Sequence, residues 1–383
     1  MARTKKVETI TKISPHTVKK FELIEKYVDE WARKILGFNG TKGLPGSKGV
    51  IYIDCMCNSG VYEVDGKLVE GTALRVAKKL NEIISNYPGK EAILLFNDLQ
   101  PERVDLLRTK IEKANLENII VSYNEGDCNA FLKGLNLSAY QQGYNILLLY
   151  DPYNASIDWS AVKPFLNCWG EVIINHMFFD TTRGISQAKK QDVIARYEET
   201  YQSNISQLLN TDKAGLDNIV VSIIRNNINK NKGTSGYYVS LAPFYNRTNG
   251  KLYSLIHCSA NIDGTRLYKK VTWKTFGDKS SMKNTHGVEK QMTIDLNGNG
   301  FLNSVTDEDC YYVKDIAKYI FEKYSALGHV SLEVMYNDLD VHPIFPSEGY
   351  KNEIKAELKE RYYVKATRKE IIFSRRYGVG DVT

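Results

Sequence analysis

Four aspartates in the first half of the chain each lie at or just after the end of a predicted strand. They are Asp54, Asp98, Asp127 and Asp151. The apolar residues that precede them predict these strands. Because the carboxyl ends of parallel strands meet at the edge of the sheet where ligands bind, we expect the four carboxylates to surround one site.

The residues near the first three aspartates suit a cofactor that contains adenosine. A turn of mostly small residues follows Asp54 and lets backbone N–H groups approach a ligand: Cys55, Cys57, Asn58, Ser59 and Gly60. Asp98 is placed to accept hydrogen bonds from ribose hydroxyls, and Asp127 to accept one from the adenine amino group. For both aspartates the alternative is a helix cap. The chain contains neither GxGxxG nor GxxxxGK[ST], which argues against a dinucleotide-binding site of the Rossmann type and against a P-loop nucleotide site.

The fourth strand runs into Asp151, Pro152, Tyr153 and Asn154. An exocyclic amine on a nucleobase is a poor nucleophile, because its lone pair is delocalised into the ring. The Asp151 carboxylate and the Pro152 carbonyl would accept its two N–H bonds and orient the nitrogen. Tyr153 would stack on the base, which is worth about 1–3 kcal/mol in comparable sites. The alternative is an ordinary turn at the end of a strand.

Strand and helix patterns alternate around these motifs. A helix is predicted over 14–37, and strands over 49–57, 91–99, 118–127, 144–153 and 170–178, with helical segments between them. This alternation predicts an α/β fold with a doubly wound, mostly parallel, Rossmann-like sheet. Two β-rich runs around Asn249-Gly250 predict a closing antiparallel hairpin.

Basic residues are concentrated at the two ends of a chain whose net charge is +6. Residues 1–13 are expected to form a flexible basic arm. Residues 301–383 show a pattern of three helices followed by a β-ribbon, which is typical of a winged helix. A polyanion such as nucleic acid would explain charged ends, and solvated tails are the alternative.

Candidate phosphate contacts lie in this C-terminal segment. Three recur at four-residue steps on a predicted helix, and four lie on or near the ribbon: Lys351, Lys355, Lys359, Arg368, Lys369, Arg375 and Arg376. Glutamates are interleaved with the lysines, so the alternative is a solvated helix face. Winged helices also bind proteins.

The six cysteines are scattered, and no spacing of Cys and His predicts a metal site. No apolar run reaches the length of a membrane span. The expected compartment is therefore the reducing cytoplasm, with no membrane partner.

Two motifs resemble those of known methyltransferases. "YIDCMCNSG" (52–60) resembles the first motif of class I S-adenosylmethionine methyltransferases, D-x-F-A-G-x-G, with Cys55, Cys57 and Asn58 at positions that are usually Gly, Ala and Gly. "DPYN" (151–154) resembles the [DNS]-P-P-[YFW] motif of amino-group methyltransferases. With the opening helix and the closing hairpin, these motifs are similar to the three-Cys-motif partner (TcmP) family over residues 14–280.

The resemblance implies a class I methyltransferase-like domain over 14–300, S-adenosylmethionine as cofactor and a separate three-cysteine protein as partner. It implies methyl transfer to an exocyclic amino group of a base in DNA or RNA, with adenine N6 favoured. The alternative is a catalytically inactive methyltransferase-like scaffold that binds nucleic acid for a partner enzyme. The unusual residues in the cofactor turn favour that alternative.

Overall fold

The computed structural model describes residues 9–140, 143–152, 156–177, 185, 190–226, 236–246, 248–283, 293–294, 301–302 and 310–373. Tyr153, Asn154, Arg375 and Arg376 therefore lie outside the described residues. The chain divides into two compact units, one of residues 1–239 and 253–267 and the other of residues 240–252 and 268–383.

The strands are β1 (Thr11–Lys12), β2 (Gly40–Thr41), β3 (Leu44–Pro45), β4 (Gly49–Asp54), β5 (Val61–Val64), β6 (Lys67–Glu70), β7 (Glu91–Asp98), β8 (Ile120–Glu125), β9 (Tyr144–Tyr150), β10 (Gly170–Met177), β11 (Tyr238–Tyr245), β12 (Lys251–Ser259), β13 (Thr293–Ile294), β14 (Phe301–Leu302), β15 (His329–Ser331), β16 (Lys365–Ala366) and β17 (Glu370–Ile372).

The helices are α1 (Pro15–Leu36), α2 (Thr72–Ile84), α3 (Pro101–Lys113), α4 (Cys128–Gly134), α5 (Leu137–Tyr140), α6 (Trp159–Val162), α7 (Gln191–Tyr201), α8 (Ile205–Leu208), α9 (Lys213–Asn226), α10 (Ile262–Phe276), α11 (Val313–Tyr324), α12 (Leu332–Val341) and α13 (Lys351–Tyr362). Short 3-10 turns lie at Lys163–Phe165 and Ser325–Leu327.

The main sheet has seven strands in the order β11-β12-β10-β9-β4-β7-β8. Strand β4 lies in the middle, is buried along its whole length and pairs in parallel with β7 and β9. Strands β8 and β10 extend the parallel part, and β12 runs antiparallel to β10. The predicted doubly wound, mostly parallel sheet is confirmed, and β11 and β12 lie at its edge where the closing hairpin is predicted.

Helix α1 buries one long stripe of its surface. Pro15 stands at its first position, where the missing N–H costs no hydrogen bond. The buried side chains recur at steps of three and four residues, as the sequence predicts, and include Ile24, Tyr27 and Trp31. Lys20 lies on the same stripe, one turn before Ile24, and is also buried.

A β-hairpin that the sequence analysis missed separates the turn after β4 from helix α2. Strands β5 and β6 are joined by Asp65 and Gly66, which both have positive φ angles. The backbone N–H of Gly71 donates a hydrogen bond to the Gly60 carbonyl at 2.8 Å, so the hairpin leaves and rejoins the domain at adjacent points. Strand β1 pairs in parallel with β5, and two residues of the predicted arm are therefore strand residues.

The second unit contains a small sheet in the order β15-β17-β16, with both pairings antiparallel. Helices α11, α12 and α13 cover a core that includes Ile316, Ile320, Leu339, Ile354 and Leu358. Trp273 of α10 belongs to the same core. The unit therefore begins well before residue 301, because the end of α10 packs with the C-terminal helices.

Gly60 lies at a tight approach between the turn and α3. Its φ is +71°, and an added Cβ would come within 2.5 Å of Leu107 Cδ1. Gly66 has a similar φ of +77° and open space around it. Gly60→Ala should therefore cost about 1–3 kcal/mol more stability than Gly66→Ala, since only the first substitution overpacks a buried contact. Urea unfolding of the two variants measures the difference, and equal losses would contradict the close approach.

Candidate functional site

Two aspartates meet at the middle of the carboxyl edge of the sheet. Asp54 is the last residue of β4 and Asp151 follows β9, which pairs directly with β4. Asp54 is only 3% exposed. Burial, and next the negative charge of Asp151, raise the pKa of Asp54 to about 7, although a hydrogen bond from the Met56 backbone and the charge of Lys20 act in the opposite direction.

Asp151 is held at both of its carboxylate oxygens. Lys20 Nζ lies 2.6 Å from Oδ2, and Asn175 Nδ2 lies 2.5 Å from Oδ1. Lys20 comes from α1 and Asn175 from β10, so two separate elements fix one side chain. Lys20, Asp54, Asp151 and Asn175 are called the Asp151 cluster below.

A tyrosine ring lies beside this cluster. The Lys20 ammonium lies 5.7 Å from the centre of the Tyr253 ring, on β12. Burial and the charge of Asp151 raise the pKa of Tyr253 well above its ordinary value, so the phenol is neutral. The Asp151 cluster, which has one cation, two carboxyl groups and an amide, thus lies beside an aromatic ring.

The turn after β4 is tightly packed. Cys55, Cys57, Asn58, Ser59 and Gly60 are all buried. Asn58 has a φ of +55°, which asparagine adopts more readily than most residues. Its backbone N–H donates to Asp98 and its side-chain amide donates to Thr11 Oγ1 at 3.3 Å. Asparagine is thus accommodated at this position and bonds to β1.

Asp98 lies under this turn and is 2% exposed. Its Oδ2 accepts the Asn58 N–H at 3.0 Å, and its Oδ1 accepts the Gln100 N–H at 2.9 Å. The carboxylate therefore fixes the turn and the entry to α3 through backbone donors. Its charge also contributes to the raised pKa of Asp54, so three of the predicted aspartates lie close together.

Asp127 is exposed and caps α4. Its Oδ1 accepts the Ala130 N–H at 2.9 Å, the geometry of the helix-cap alternative. Leu99, directly after Asp98, is 64% exposed. The Gly126 N–H donates to the Asp98 carbonyl at 3.0 Å, which places Leu99 and Asp127 on adjoining strand ends. An apolar side chain and a carboxylate thus share this part of the edge.

Asn97 joins three strand ends and was not predicted from the sequence. Its Nδ2 donates to the carbonyls of Cys55 at 2.9 Å and Gly126 at 3.0 Å, and its Oδ1 accepts a hydrogen bond from Asn124 at 2.6 Å. It is fully buried. Asn97 and Asn175 could have been found as polar residues that interrupt apolar strands, and Lys20 as a lysine on the buried stripe of α1.

Pro152, Cys55 and His176 also lie near the strand ends, and all three are buried. The Cys55 thiol donates to the Leu149 carbonyl at 3.3 Å, and burial, followed by its contact with Cys128, raises its pKa well above the ordinary value. His176 faces the side of the sheet opposite to Asn175, where its ring nitrogens lie 2.8 Å from Asp217 and Tyr201.

The candidate phosphate contacts of the second unit lie at its surface. Lys351, Lys359, Arg368 and Lys369 are exposed, and Lys355 is half-buried. The Lys351 ammonium lies 4.8 Å from the centre of the Tyr336 ring. Arg368 and Lys369 lie in the turn between β16 and β17.

Neither a metal site nor a membrane-spanning helix is found among the described residues. They contain no group of three or more His, Cys, Asp or Glu side chains arranged to hold a metal ion. No helix among them is long and apolar enough to cross a membrane. A cavity of about 510 Å³ is lined by residues that include Tyr201, Asn218 and Ser222 and by no member of the Asp151 cluster.

No protein-family model matches the sequence, and no curated protein matches it. Similar solved structures include WbdD (11% identity, 64% of this chain, 35% of that chain, TM-score 0.33). An O-methyltransferase from Bacillus cereus in complex with SAH is another, with 12% identity over 64% of this chain and 82% of that chain and a TM-score of 0.32. A third is a precorrin-6y C5,15-methyltransferase from Geobacter metallireducens, with 11% identity over 60% of this chain and 86% of that chain and a TM-score of 0.28. The fold class rests on the strand order of the main sheet.

Asp54 should make stability depend on pH. Its pKa is about 7 in the folded chain and 3.8 ordinarily, so between these values the folded state holds a proton that the unfolded state has lost. Stability should therefore fall by about 1.4 kcal/mol per pH unit across this window. Asp54→Asn removes the effect, so the variant should gain stability relative to the native chain from pH 5 to pH 7. Urea unfolding at several pH values measures it, and a constant difference would contradict it.

Proposed function

We propose that the chain is an S-adenosylmethionine-dependent methyltransferase acting on an exocyclic amino group of a nucleic-acid base, with adenine N6 favoured. The main support is the position of Asp151 and Pro152 at the end of β9, beside the turn that follows β4. In a doubly wound sheet this is where a cofactor and its substrate meet. The similarity of both segments to methyltransferase motifs supports the same reading.

The residues at the strand ends fit an adenosyl group. Exposed Leu99 offers an apolar face for the ring, and exposed Asp127 has acceptor capacity for its amino group. Asp98 and the turn at 55–60 would hold the ribose side. When bound, S-adenosylmethionine would supply the sulfonium methyl group, and its carbon–sulfur bond would break as the carbon–nitrogen bond forms.

The chain's own residues would orient the amine. Each carboxylate oxygen has two acceptor positions, so Asp151 retains acceptor capacity beside its bonds to Lys20 and Asn175. The Pro152 carbonyl would accept the second N–H. The nitrogen loses one proton during the transfer, and Asp151 is the proposed acceptor. Positioning supplies most of the catalysis, because the sulfonium methyl is already reactive.

We propose that the second unit contains a winged-helix module that binds the nucleic acid. The element order α11-β15-α12-α13-β16-β17 and the sheet order β15-β17-β16 support it. Helix α13 would then carry the lysine stripe, and the turn at 367–369 would form the wing. From the TcmP resemblance, a separate three-cysteine protein is a further proposed partner.

A second candidate is a catalytically inactive scaffold that binds nucleic acid. It is favoured by the burial of the turn at 55–60 and by the two backbone N–H groups already bound to Asp98. Titration calorimetry with S-adenosylmethionine separates the two candidates. Binding supports the enzyme, and its absence supports the scaffold.

Incubation with labelled S-adenosylmethionine and separate pools of DNA, RNA and protein should label a nucleic-acid pool. Asp151→Ala should reduce this labelling by about 10²-fold or more, since it removes an acceptor at the reacting nitrogen. Asp151→Asn should keep a measurable part, because its amide oxygen still accepts a hydrogen bond. Asp158→Asn, at the cap of α6, is the control and should remain active. Full activity of a folded Asp151→Ala protein would remove Asp151 from the mechanism.

Nucleic-acid affinity should depend on lysines of α13. Lys355→Gln with Lys359→Gln should weaken binding of an oligonucleotide and reduce the slope of log K against log salt by about 0.7–0.9 for each lost phosphate contact. Lys314→Gln with Lys318→Gln on α11 is the matched control, with the same spacing and charge change. Fluorescence anisotropy at several salt concentrations measures both. Equal slopes for the two double variants would contradict a role for α13.

A further inference from the structure

We propose that Lys20 is a positioning residue of the methyl-transfer site, which fixes the Asp151 carboxylate in the orientation that receives the substrate amine. The inference rests on the proposed function and adds a residue outside both recognised motifs. It assigns to α1 a role in the reaction in addition to its role in the core.

The position of Lys20 is costly for a lysine. The residue is 8% exposed and continues the stripe formed by Ile24, Tyr27 and Trp31. Lysine is almost never buried unless it is paired, because its ammonium loses hydration. Its partner, Asp151, is 131 residues away in the sequence. We therefore explain the burial of this ammonium by its ion pair with the Asp151 carboxylate.

The contacts with Lys20 and Asn175 fix the Asp151 carboxylate and leave it able to accept further hydrogen bonds. Lys20 holds Oδ2 at 2.6 Å and Asn175 holds Oδ1 at 2.5 Å, so the plane of the group is defined from two sides. One acceptor position on each oxygen remains for a substrate N–H. A group that is oriented before the substrate binds pays no reorganisation cost during the reaction.

Lys20 also offsets the negative charge at this edge. Asp54 on β4 and Asp98 on β7 are the neighbouring carboxylates, and Lys20 lowers the pKa of Asp54 against their effect and against burial. Burial and the negative charge of Asp151 raise the pKa of the Tyr52 phenol and that of the Tyr253 phenol. Both phenols therefore remain neutral. Without Lys20, the two carboxyl groups would face each other with the Asn175 amide, the Met56 backbone N–H and these phenols nearby. The titratable neighbours in the described residues also include the Cys55 and Cys57 thiols and Asp98, which lies 3.9 Å from the Arg103 guanidinium.

The test compares Lys20→Met with Lys19→Met, its neighbour on α1, which pairs with Glu22 at 2.6 Å. Lys20→Met should lower kcat by up to about 10²-fold while the KM for S-adenosylmethionine changes by less than about twofold. Lys19→Met should retain the native kcat and KM. If Lys20→Met behaves like Lys19→Met, the proposal is overturned.

A double variant separates a loss of activity from a loss of folding. Lys20→Met with Asp151→Asn removes both charges and should recover the stability that Lys20→Met alone loses. Its kcat should stay several-fold below that of Asp151→Asn, since the amide is no longer fixed by Lys20. Equal activity of the two would show that Lys20 is only a structural partner of the charge.

A titration without substrate or cofactor separates this inference from the proposed function. The Asp54 carboxyl, followed by carbon NMR, should titrate at higher pH in Lys20→Met and at lower pH in Asp151→Asn than in the native chain. If these shifts occur but no pool gains label, the methyl-transfer function fails while the electrostatic coupling stands. If the Asp54 titration is unchanged in Lys20→Met, the role of Lys20 fails whatever the activity.

Discussion

Two carboxylates side by side at the middle of the sheet are the constraint on which the rest of the site depends. Asp54 and Asp151 end neighbouring strands, and almost no solvent reaches Asp54. Like charges in such a place cost free energy unless a cation or a shared proton compensates them. The fold supplies Lys20 from α1, and Asp54 takes up a proton more readily than an ordinary aspartate. The first helix is thus tied to the chemistry at the strand ends.

Most of the sheet could be predicted from the sequence because its signals are local. Strand β4 and strand β9 are continuous apolar runs, and runs of this kind are buried on both faces in parallel sheets. The Asn249-Gly250 pair predicted the closing hairpin, and Asn249 has the positive φ that such a turn requires. The meeting of Asp54 and Asp151 followed from the general geometry of parallel strands.

The partners of these aspartates could not be predicted in the same way. Lys20 and Asp151 are far apart in the sequence, and no local pattern connects them. The apolar periodicity of α1 indicates its buried face but does not identify Lys20 as part of it. Asp98 and Asp127 illustrate a different difficulty, since both bind nearby backbone N–H groups, as aspartates commonly do after strands. The β5–β6 hairpin has half-exposed strands of four residues, which leave little periodicity to detect.

The hydrogen bond between Gly71 and Gly60 gives that hairpin the topology of an insert. Since the chain leaves and returns at adjacent points, a change of length at the tip of this hairpin does not require β4 or α2 to move. The base of the hairpin is less free, because Val61 is buried and the Tyr62 ring lies 4.9 Å from the Phe21 ring of α1. Strand β1 limits this freedom, because it pairs with β5 and its Thr11 bonds to Asn58. Divergence of the hairpin would thus have to be matched by the N-terminal segment, and the two should vary together.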